Sequence, residues 1–293
     1  MIFDERTRRK LDRLSLVATR AGSGAYRGER RSARKGSSVE FADYRDYRPG
    51  DDLRRLDWHI YARLDRPFIK LLEDEQDLAV HLLVDASRSM DWGEAESNKY
   101  RYALRLAAAL GLIGLASGDQ LTVVLLKGDR ETARYGPARG GHHTLKLLRF
   151  LESHPAAGVV DLPQVVRQVA RASRRPGLAI LISDLYNADG IRLSLRELQR
   201  GGHEVRVLHL LSPDELEPTF SGELRLLDCE TGATQEVSLD SGLRGLYRRR
   251  LHEWRSQLQA ECRQRGAGYL PLNTAVAWET VVLLEMRKAG MLR

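Results

Sequence analysis

Residues 78–89 read Leu-Ala-Val-His-Leu-Leu-Val-Asp-Ala-Ser-Arg-Ser, and this stretch decides the fold. Its first seven residues are almost continuously apolar, which is typical of a strand buried on both faces of a parallel sheet. The apolar run stops at Asp85, and Ser87 and Ser89 follow at alternate positions. Because open α/β sheets bind ligands at the carboxyl ends of their strands, these three side chains are the first candidates for a functional site.

Similar apolar runs return further along the chain, separated by segments with helical periodicity. Strands that alternate with helices predict βαβ units, whose right-handed crossovers give a parallel sheet with helices on both faces. We therefore expect an α/β fold with a doubly wound, mostly parallel sheet. The predicted strands are 78–84, 121–126, 178–182, 204–211 and 268–272, and the predicted helices are 98–116, 143–153, 161–173, 189–200, 243–265 and 275–288.

Two segments are expected to add short antiparallel strands. Residues 212–240 contain prolines and glycines around two strand candidates, 223–228 and 234–239, and predict a small β insertion. Upstream of the main alternation, the apolar run 68–72 is separated from the strand at 78–84 by acidic residues. These two runs are expected to form a hairpin.

The positive charge of the chain is concentrated at its N-terminus. Residues 1–36 hold 11 basic and 4 acidic residues, an excess that equals the net charge of +7 of the whole chain. We therefore divide the chain into an N-terminal extension at 1–77 and an α/β domain at 78–293, which contains the predicted sheet and the β insertion at 212–240. The extension comprises a basic helix and loop, followed by a motif-dense segment at 39–63.

Composition excludes several classes of protein. The two cysteines, Cys229 and Cys262, are too few for a disulfide scaffold and lack the ligand spacing of a zinc site. No apolar run approaches the roughly 18–20 residues of a membrane span. The chain starts Met-Ile-Phe-Asp-Glu-Arg, without the apolar segment of a secretory signal. We expect a soluble, cytoplasmic protein.

A second carboxylate is expected beside the first candidate residues. The strand at 178–182 runs directly into Ser183 and Asp184. Carboxylates and hydroxyls from two strand ends make an oxygen-only ligand set, which suits a hard cation such as Mg²⁺. The sequence therefore predicts a magnesium site at this edge of the sheet.

This pattern resembles the metal-ion-dependent adhesion site of the von Willebrand factor A (vWA) domain. The signature of that site is Asp-x-Ser-x-Ser after the first strand, a threonine from a later loop and an aspartate after a later strand. The resemblance implies that the metal accepts a carboxylate from a partner protein. Val160 stands where the threonine is expected, and Thr144 is another candidate. The residues that the resemblance assigns to the metal are Asp85, Ser87, Ser89 and Asp184.

The segment upstream narrows the resemblance to one bacterial family. It contains Tyr-Arg-Asp-Tyr-Arg-Pro-Gly-Asp-Asp at 44–52 and Leu-Asp-Trp at 56–58. This is similar to the hallmark of a vWA-like family numbered fifty-eight in the domain-of-unknown-function series, and the resemblance covers essentially the whole chain. Such proteins typically accompany MoxR-type AAA+ ATPases and are thought to act in chaperone-like assembly or maturation. The resemblance therefore implies an ATPase of this type, or a client protein, as the partner.

The hallmark segment permits two interpretations. In the first, its aspartates and arginines form ion pairs that hold the segment in place, with the tryptophan as an apolar anchor. In the second, they form a docking surface, because Trp, Tyr and Arg are favoured at interface hot spots. The residues that both interpretations use are Asp51, Asp52, Arg54, Asp57 and Trp58.

We expect a non-enzymatic adaptor that binds a protein partner, with Arg88 as a further contact to a carboxylate. One alternative is a Mg²⁺-dependent hydrolase that uses the aspartates at the strand ends. Haloacid-dehalogenase phosphatases need a second aspartate two residues after the first, where this chain has Ser87. Another alternative is nucleic-acid binding through the basic residues of 6–35 and of the helix at 243–265, although few aromatic residues are interleaved with them.

Overall fold

The computed structural model describes residues 5–18, 40–48, 51, 56–73, 78–128, 131–173, 175–186, 188–220, 222–229 and 232–293. The chain divides into two compact units. The larger unit joins the N-terminal residues up to Ala25 with Leu78–Arg293, and the smaller unit is Tyr26–Asp77.

Helices and strands alternate along most of the larger unit. In chain order the elements are α1 (Glu5–Leu11), β1 (Glu40–Asp46), α2 (Trp58–Leu64), β2 (Phe68–Glu73), β3 (Ala79–Asp85), α3 (Lys99–Ala116), β4 (Gln120–Lys127), β5 (Glu131–Ala138), α4 (Thr144–Glu152), α5 (Leu162–Ala172), β6 (Leu178–Ser183), α6 (Ala188–Arg200), β7 (Glu204–Leu211), α7 (Pro213–Leu216), β8 (Gly222–Leu227), β9 (Thr234–Leu239), α8 (Ser241–Gln264) and β10 (Gly268–Asn273). The chain ends in the consecutive helical segments Trp278–Thr280, Val281–Glu285 and Met286–Lys288.

A six-stranded sheet forms the centre of the larger unit, with the strand order β10-β7-β6-β3-β4-β5. Neighbouring strands are parallel, except that β5 runs antiparallel to β4. The predicted α/β fold with a mostly parallel sheet is therefore confirmed, and it fits the vWA/Rossmann-like class. The strand β5 was not predicted, because Gly136 and Pro137 interrupt its side-chain pattern.

Strand β3 is buried on both faces of the sheet, as its sequence predicts. All of its residues are buried. Val80, Leu82 and Val84 belong to the apolar core that contains α3, and Leu83 belongs to the core that contains α5 and α6. Because alternate residues of a strand point to opposite faces, only a continuous apolar run can fill both cores.

Helix α3 is buried along almost its whole length, which agrees with its apolar sequence. It starts at Lys99, after Asn98, whose side-chain oxygen accepts a hydrogen bond from the backbone N–H of Arg101 at 3.0 Å and caps the helix. Neither α3 nor any other helix in the described part of the chain is long and apolar enough to cross a membrane.

The expected hairpin between 68–72 and 78–84 is wrong. Strand β2 pairs with β1 in a separate antiparallel sheet, and β3 lies between β4 and β6 in the central sheet. The continuous apolar pattern of β3 suits a central parallel strand, whereas a hairpin strand with one face in water would alternate. The two short strands predicted within 212–240 do pair antiparallel, as β8 and β9.

The N-terminal segment packs with the central sheet. Leu11, Leu14 and Leu16 are buried in the same core as α3. Ser15 and Arg293 exchange two backbone hydrogen bonds of 3.1 Å, so the segment after α1 lies beside the segment that ends at Arg293. The division by sequence places these residues in the extension at 1–77, whereas the structure groups them with the larger unit, where the three leucines are part of the core.

We expect Leu16→Ala to lower the free energy of unfolding by about 2–5 kcal/mol, because the truncation leaves a cavity in this core. Urea denaturation followed by circular dichroism measures the change. The control is Leu145→Ala, at a position of α4 that is 64% exposed, and it should change the free energy by less than about 0.5 kcal/mol. Equal effects in both variants would show that the N-terminal segment does not stabilise the core.

Candidate functional site

The predicted site lies at the carboxyl edge of the sheet, where β3 and β6 end side by side. Val84 pairs with Ile182 in the parallel ladder of these strands, so Asp85 and Ser183 follow at the same edge. Asp184 comes next in the chain and is buried. Burial raises the pKa of Asp85, and the negative charge of Asp184 adds to the rise, so the two carboxylates interact electrostatically.

Asp85 holds the loop that follows β3. Its Oδ1 accepts a hydrogen bond from the backbone N–H of Ser87 at 2.9 Å, and its Oδ2 accepts one from the hydroxyl of Ser183 at 2.6 Å. The hydroxyls of Ser87 and Ser89 are hydrogen-bonded to each other at 3.0 Å. Both carboxylate oxygens of Asp85 and both serine hydroxyls therefore have partners within the protein.

A second loop, at 157–160, lies against this one. Ala157 donates its backbone N–H to the carbonyl of Ala86 at 2.9 Å, and Arg88 donates its own to the carbonyl of Gly158 at 2.9 Å. Val160 lies two residues beyond Gly158 and packs against the core on that face. The residue at the threonine position of the vWA signature is therefore near the loop after β3, but its side chain carries no oxygen.

Thr144 lies at the opposite edge of the sheet. Strand β5 runs antiparallel to β4, and its last residue, Ala138, pairs with Leu121 near the start of β4. Thr144 begins α4 shortly after this point. It is therefore at the edge where the parallel strands begin, whereas Asp85 is at the edge where they end. The structure does not bring Thr144 together with the other candidate ligands.

A buried lysine joins the site. The ammonium of Lys99 donates a hydrogen bond to Oδ2 of Asp184 at 2.8 Å and another to Oε1 of Glu215 at 2.6 Å. The side chain of Lys99 is completely buried. Its Nζ also lies 5.0 Å from the ring centre of Tyr186, within the range of a cation–π interaction. One cation thus faces two carboxylates at this edge of the sheet.

Glu215 is held in place by the short helix α7. Ser212 and Glu215 form a capping box, in which Oγ of Ser212 accepts the backbone N–H of Glu215 at 3.3 Å and Oε2 of Glu215 accepts the backbone N–H of Ser212 at 2.7 Å. Tyr247 donates its hydroxyl to the carbonyl of Glu215 at 2.5 Å. Both carboxylate oxygens of Glu215 therefore have a donor. Oε1 accepts from Lys99, and Oε2 accepts from the backbone of Ser212.

Sequence reasoning missed both Lys99 and Glu215. The position of Lys99 does indicate a nearby anion. A positive charge in the first turn of a helix interacts unfavourably with the helix dipole, so a neighbouring negative charge is expected to compensate it. The sequence Ser-Pro-Asp-Glu at 212–215 predicts a helix start, which accounts for α7 but not for an ion pair. Lys99 is 85 residues from Asp184 and 116 residues from Glu215, so no local pattern links them.

Burial raises the pKa of the Asp85 carboxyl to about 6, and the negative charge of Asp184 adds to the rise. The hydrogen bonds from Ser183 and Ser87 favour the ionised form and oppose the rise. The charge of Asp85 therefore changes under mildly acidic conditions.

Several side chains of the loops at this edge are exposed. Arg88 and Trp92 follow β3, Val159 belongs to the second loop, and Tyr186 follows β6. The ring of Tyr186 is stacked on Trp254 of α8, with 5.8 Å between ring centres and 1° between ring planes. We call Arg88, Trp92, Val159 and Tyr186 the edge surface.

The donors at the carboxyl edge fit a divalent cation poorly. Across the described ranges, no group of three or more His, Cys, Asp or Glu side chains is arranged to hold a metal ion. At the edge itself, the carboxylate of Asp184 is shared with the ammonium of Lys99, and Val160 provides no hydroxyl. Mg²⁺ needs near-octahedral oxygen ligands, and a neighbouring positive charge repels it.

The hallmark segment belongs to the smaller unit. Asp51 accepts a hydrogen bond from the guanidinium of Arg45 at 2.8 Å and another from the backbone N–H of Arg48 at 2.7 Å. These bonds hold the pKa of the Asp51 carboxyl below its usual value. The sequence pattern suggests Arg54 as the partner of Asp51, but Asp52 and Arg54 lie outside the described residues.

Asp57 and Trp58 mark the start of helix α2. The carboxylate of Asp57 accepts the backbone N–H groups of His59 at 2.9 Å and Ile60 at 3.2 Å, and so caps the helix. Trp58 is 61% exposed and contacts Tyr61 edge to face, with 6.3 Å between ring centres. The ring of Trp58 is therefore largely exposed, whereas Asp51 and Asp57 have structural partners within the smaller unit.

We expect Lys99→Met to lower the free energy of unfolding by about 3–5 kcal/mol, because it leaves the buried carboxylates without their cation. Adding Asp184→Asn should recover part of this loss, because the two residues are in contact. Chemical denaturation measures both effects. The control is Lys146→Met, at an exposed position of α4, which should stay within about 0.5 kcal/mol of wild type. If Lys99→Met were as stable as the control, the ion pairs would not stabilise this edge.

We expect Asp85→Asn to change how stability depends on pH. The pKa of Asp85 is about 6 in the native state against 3.8 as its ordinary value, so the native state holds an additional proton between these values. This proton stabilises the native state. The stabilisation is fully present below about pH 4 and is lost as the pH rises to about 6, so the free energy of unfolding falls by about 3 kcal/mol in total over this range.

The measurement is the free energy of unfolding of wild type minus that of Asp85→Asn, by urea denaturation at several pH values. This difference in free energy should fall as the pH rises from about 4 to about 6, and it should stay level at higher pH. Glu152→Gln, at an exposed position of α4, is the control and should show no such fall. A difference that does not vary with pH would contradict the assignment.

The chain matches the sequence profile of one protein family over residues 43–257, a family described as "Protein of unknown function DUF58". Uncharacterized proteins of Mycobacterium tuberculosis and Mycobacterium bovis are 30% identical to it over 297 residues, which cover 99% of this chain and 93% of theirs. An uncharacterized protein of Mycobacterium avium is 32% identical over 162 residues, which cover 53% of this chain and 95% of that protein.

One solved structure is similar over much of its length. It is the conserved hypothetical protein BatB from Bacteroides thetaiotaomicron, with a TM-score of 0.43, 14% sequence identity and coverage of 73% of this chain and 98% of that chain. The family profile and the mycobacterial relatives, which align over nearly the whole chain, confirm the resemblance drawn from the hallmark segment. The chain belongs to the DUF58 family of proteins of unknown function.

Proposed function

We propose that this protein is a non-enzymatic interaction module that binds a protein partner through the edge surface. The observation that carries the proposal is the contrast between two layers at the carboxyl edge of the sheet. In the buried layer, an ammonium and two carboxylates satisfy one another. In the outer layer, Trp92 is 47% exposed, Val159 52% and Tyr186 52%. Exposed apolar side chains gathered on one side of a protein are typical of a binding surface.

The residue types of the edge surface suit protein recognition. Trp, Tyr and Arg are the residues most enriched at interface hot spots. The guanidinium of Arg88 can bind a carboxylate of a partner through two parallel hydrogen bonds. Its backbone is held by the bond to Gly158, and the loop before it by the bonds of Asp85. A surface held in this way loses little conformational entropy when a partner binds.

Two features support a non-enzymatic role. Asp85 is 5% exposed, and both oxygens of its carboxylate accept hydrogen bonds from the protein. A phosphatase of the haloacid-dehalogenase type uses an acid two residues after its first aspartate, where this chain has the hydroxyl of Ser87. The hydrolase alternative therefore has less support than the interaction module.

As the partner we propose a MoxR-type AAA+ ATPase, or a client protein that such an ATPase assembles or matures. The family resemblance supports this proposal, because members of the family typically accompany these ATPases. The exposed ring of Trp58 supports a role for the hallmark segment in such an association as well.

We expect the combined variant Arg88→Ala, Trp92→Ala and Tyr186→Ala to bind a purified MoxR-type ATPase of the same organism at least about 30-fold more weakly than wild type, because truncation of one hot-spot residue costs about 2 kcal/mol or more. Isothermal titration calorimetry measures the affinity. The control is the double variant Leu145→Ala and Arg149→Ala, at exposed positions of α4, which should bind like wild type.

The thermal unfolding midpoint of each variant shows whether it is folded, since Tyr186 also contacts Trp254. Wild-type affinity in the combined variant would contradict the proposal that the edge surface binds the partner, and lost affinity in Trp58→Ala would then place the interface on the hallmark segment alone.

A further inference from the structure

The four residues that the vWA resemblance assigns to a metal ion share their edge of the sheet with a cation that belongs to the chain. Lys99 donates one hydrogen bond to Asp184, at 2.8 Å, and another to Glu215, at 2.6 Å. The sequence resemblance does not include this lysine. A divalent ion can bind at this edge only if the charge of Lys99 permits it and enough oxygen ligands are available.

The charge of Lys99 opposes a second cation. An ion bound against the carboxylate of Asp184 would lie next to the ammonium, because both would use oxygens of the same small group. The side chain of Lys99 is completely buried, and that of Asp184 is 3% exposed. Water is therefore largely absent, and repulsion between neighbouring positive charges is much stronger there than in solution.

Lys99 cannot easily move aside to admit such an ion. Its ammonium is held from three directions, by Asp184 after β6, by Glu215 in α7 and by the ring of Tyr186. The carboxylate of Glu215 is itself fixed by the capping box with Ser212. An ion that displaced the ammonium from Asp184 would leave a completely buried positive charge with one carboxylate fewer, which is unfavourable.

The oxygen donors at this edge are also already in use. Asp85 accepts hydrogen bonds on both carboxylate oxygens, and the hydroxyls of Ser87 and Ser89 bond to each other. At the position of the third hydroxyl ligand the chain has Val160. A divalent ion would therefore have to share these oxygens with existing hydrogen bonds, and it would find one ligand fewer than the vWA signature provides.

From these observations we infer that the ammonium of Lys99 is the permanent counter-cation of this edge and takes the electrostatic place of a divalent metal ion. The edge is then complete without metal, and its residues no longer serve as ligands. This inference concerns the buried layer alone, and it stands whether or not the edge surface binds a protein.

The first experiment adds Mg²⁺ or Mn²⁺ to the purified wild-type chain and measures the thermal unfolding midpoint and the heat of binding. The expected result is an unchanged midpoint and no saturable heat, because an ion that does not bind the native state cannot stabilise it. A saturable rise of the midpoint that disappears in Asp184→Asn would overturn the inference.

The second experiment removes the counter-cation and supplies the missing hydroxyl, in the double variant Lys99→Ala and Val160→Thr. The expected result is an upward shift of its midpoint on addition of Mn²⁺, because vacated carboxylates and a restored hydroxyl suit that ion. The matched control, Lys146→Ala with Val160→Thr, keeps Lys99 and should show no shift. A folded double variant that does not respond to Mn²⁺ would show that Lys99 is not what excludes the metal.

The single variant Val160→Thr decides the case in which the double variant does not fold. It changes one side chain for another of almost the same shape and keeps the ion pairs of Lys99. It should remain as indifferent to Mg²⁺ and Mn²⁺ as wild type. A midpoint that rises with metal in this variant would mean that the missing hydroxyl, and not the ammonium, keeps the ion away, and the inference would fail.

Discussion

The ammonium of Lys99 connects the first turn of α3 with the end of β6 and with helix α7, through its hydrogen bonds to Asp184 and Glu215. Removing such charges from water is costly, and their attraction offsets the cost only when the geometry is good and the remaining polar atoms are satisfied. Here the second oxygen of Glu215 accepts the N–H of Ser212. The three elements must therefore all be in place before the charges are compensated, which couples the formation of this edge to the packing of α3, β6 and α7.

This compensation determines what the edge offers to other molecules. The carboxylates of Asp184 and Glu215 are largely buried and face an internal ammonium, and Arg88 is the charged residue of the edge surface. Beside it are aromatic and aliphatic side chains, of which Tyr186 also forms part of the enclosure around Lys99. The buried layer and the edge surface thus share a residue. Disturbing the ion pairs is therefore expected to disturb the surface as well.

The fold could be predicted from sequence wherever burial leaves a local pattern. The apolar run of β3 indicates a central parallel strand, and the rule that parallel strands end at one edge brings Asp85 and Asp184 together. Pairing between distant segments leaves no such pattern. The hairpin of β2 with β3 was predicted from proximity in sequence, whereas the real partner of β2 is β1. The ion pairs of Lys99 escaped notice for the same reason, since they link residues far apart in the chain.

The location of Thr144 illustrates how a site candidate depends on strands that leave no pattern in the sequence. Without β5, the loop before α4 could be assigned to the same edge as the other strand ends. Because β5 runs antiparallel to β4, the chain returns to the opposite edge before α4 begins. The position of Thr144 therefore depends on the direction of a strand whose Gly136 and Pro137 hide it from pattern analysis.

The Asp-x-Ser-x-Ser motif has a structural role in this chain that does not require a metal ion. Asp85 accepts the N–H of Ser87 and the hydroxyl of Ser183, and so ties the loop after β3 to the end of β6. Replacing Asp85 with an apolar residue would leave the Ser183 hydroxyl and a buried N–H without their acceptor. The same side chains that form a ligand set in the vWA signature thus shape the loop that carries Arg88. Retention of the motif is therefore expected on structural grounds alone, and its presence in a sequence does not by itself indicate metal binding.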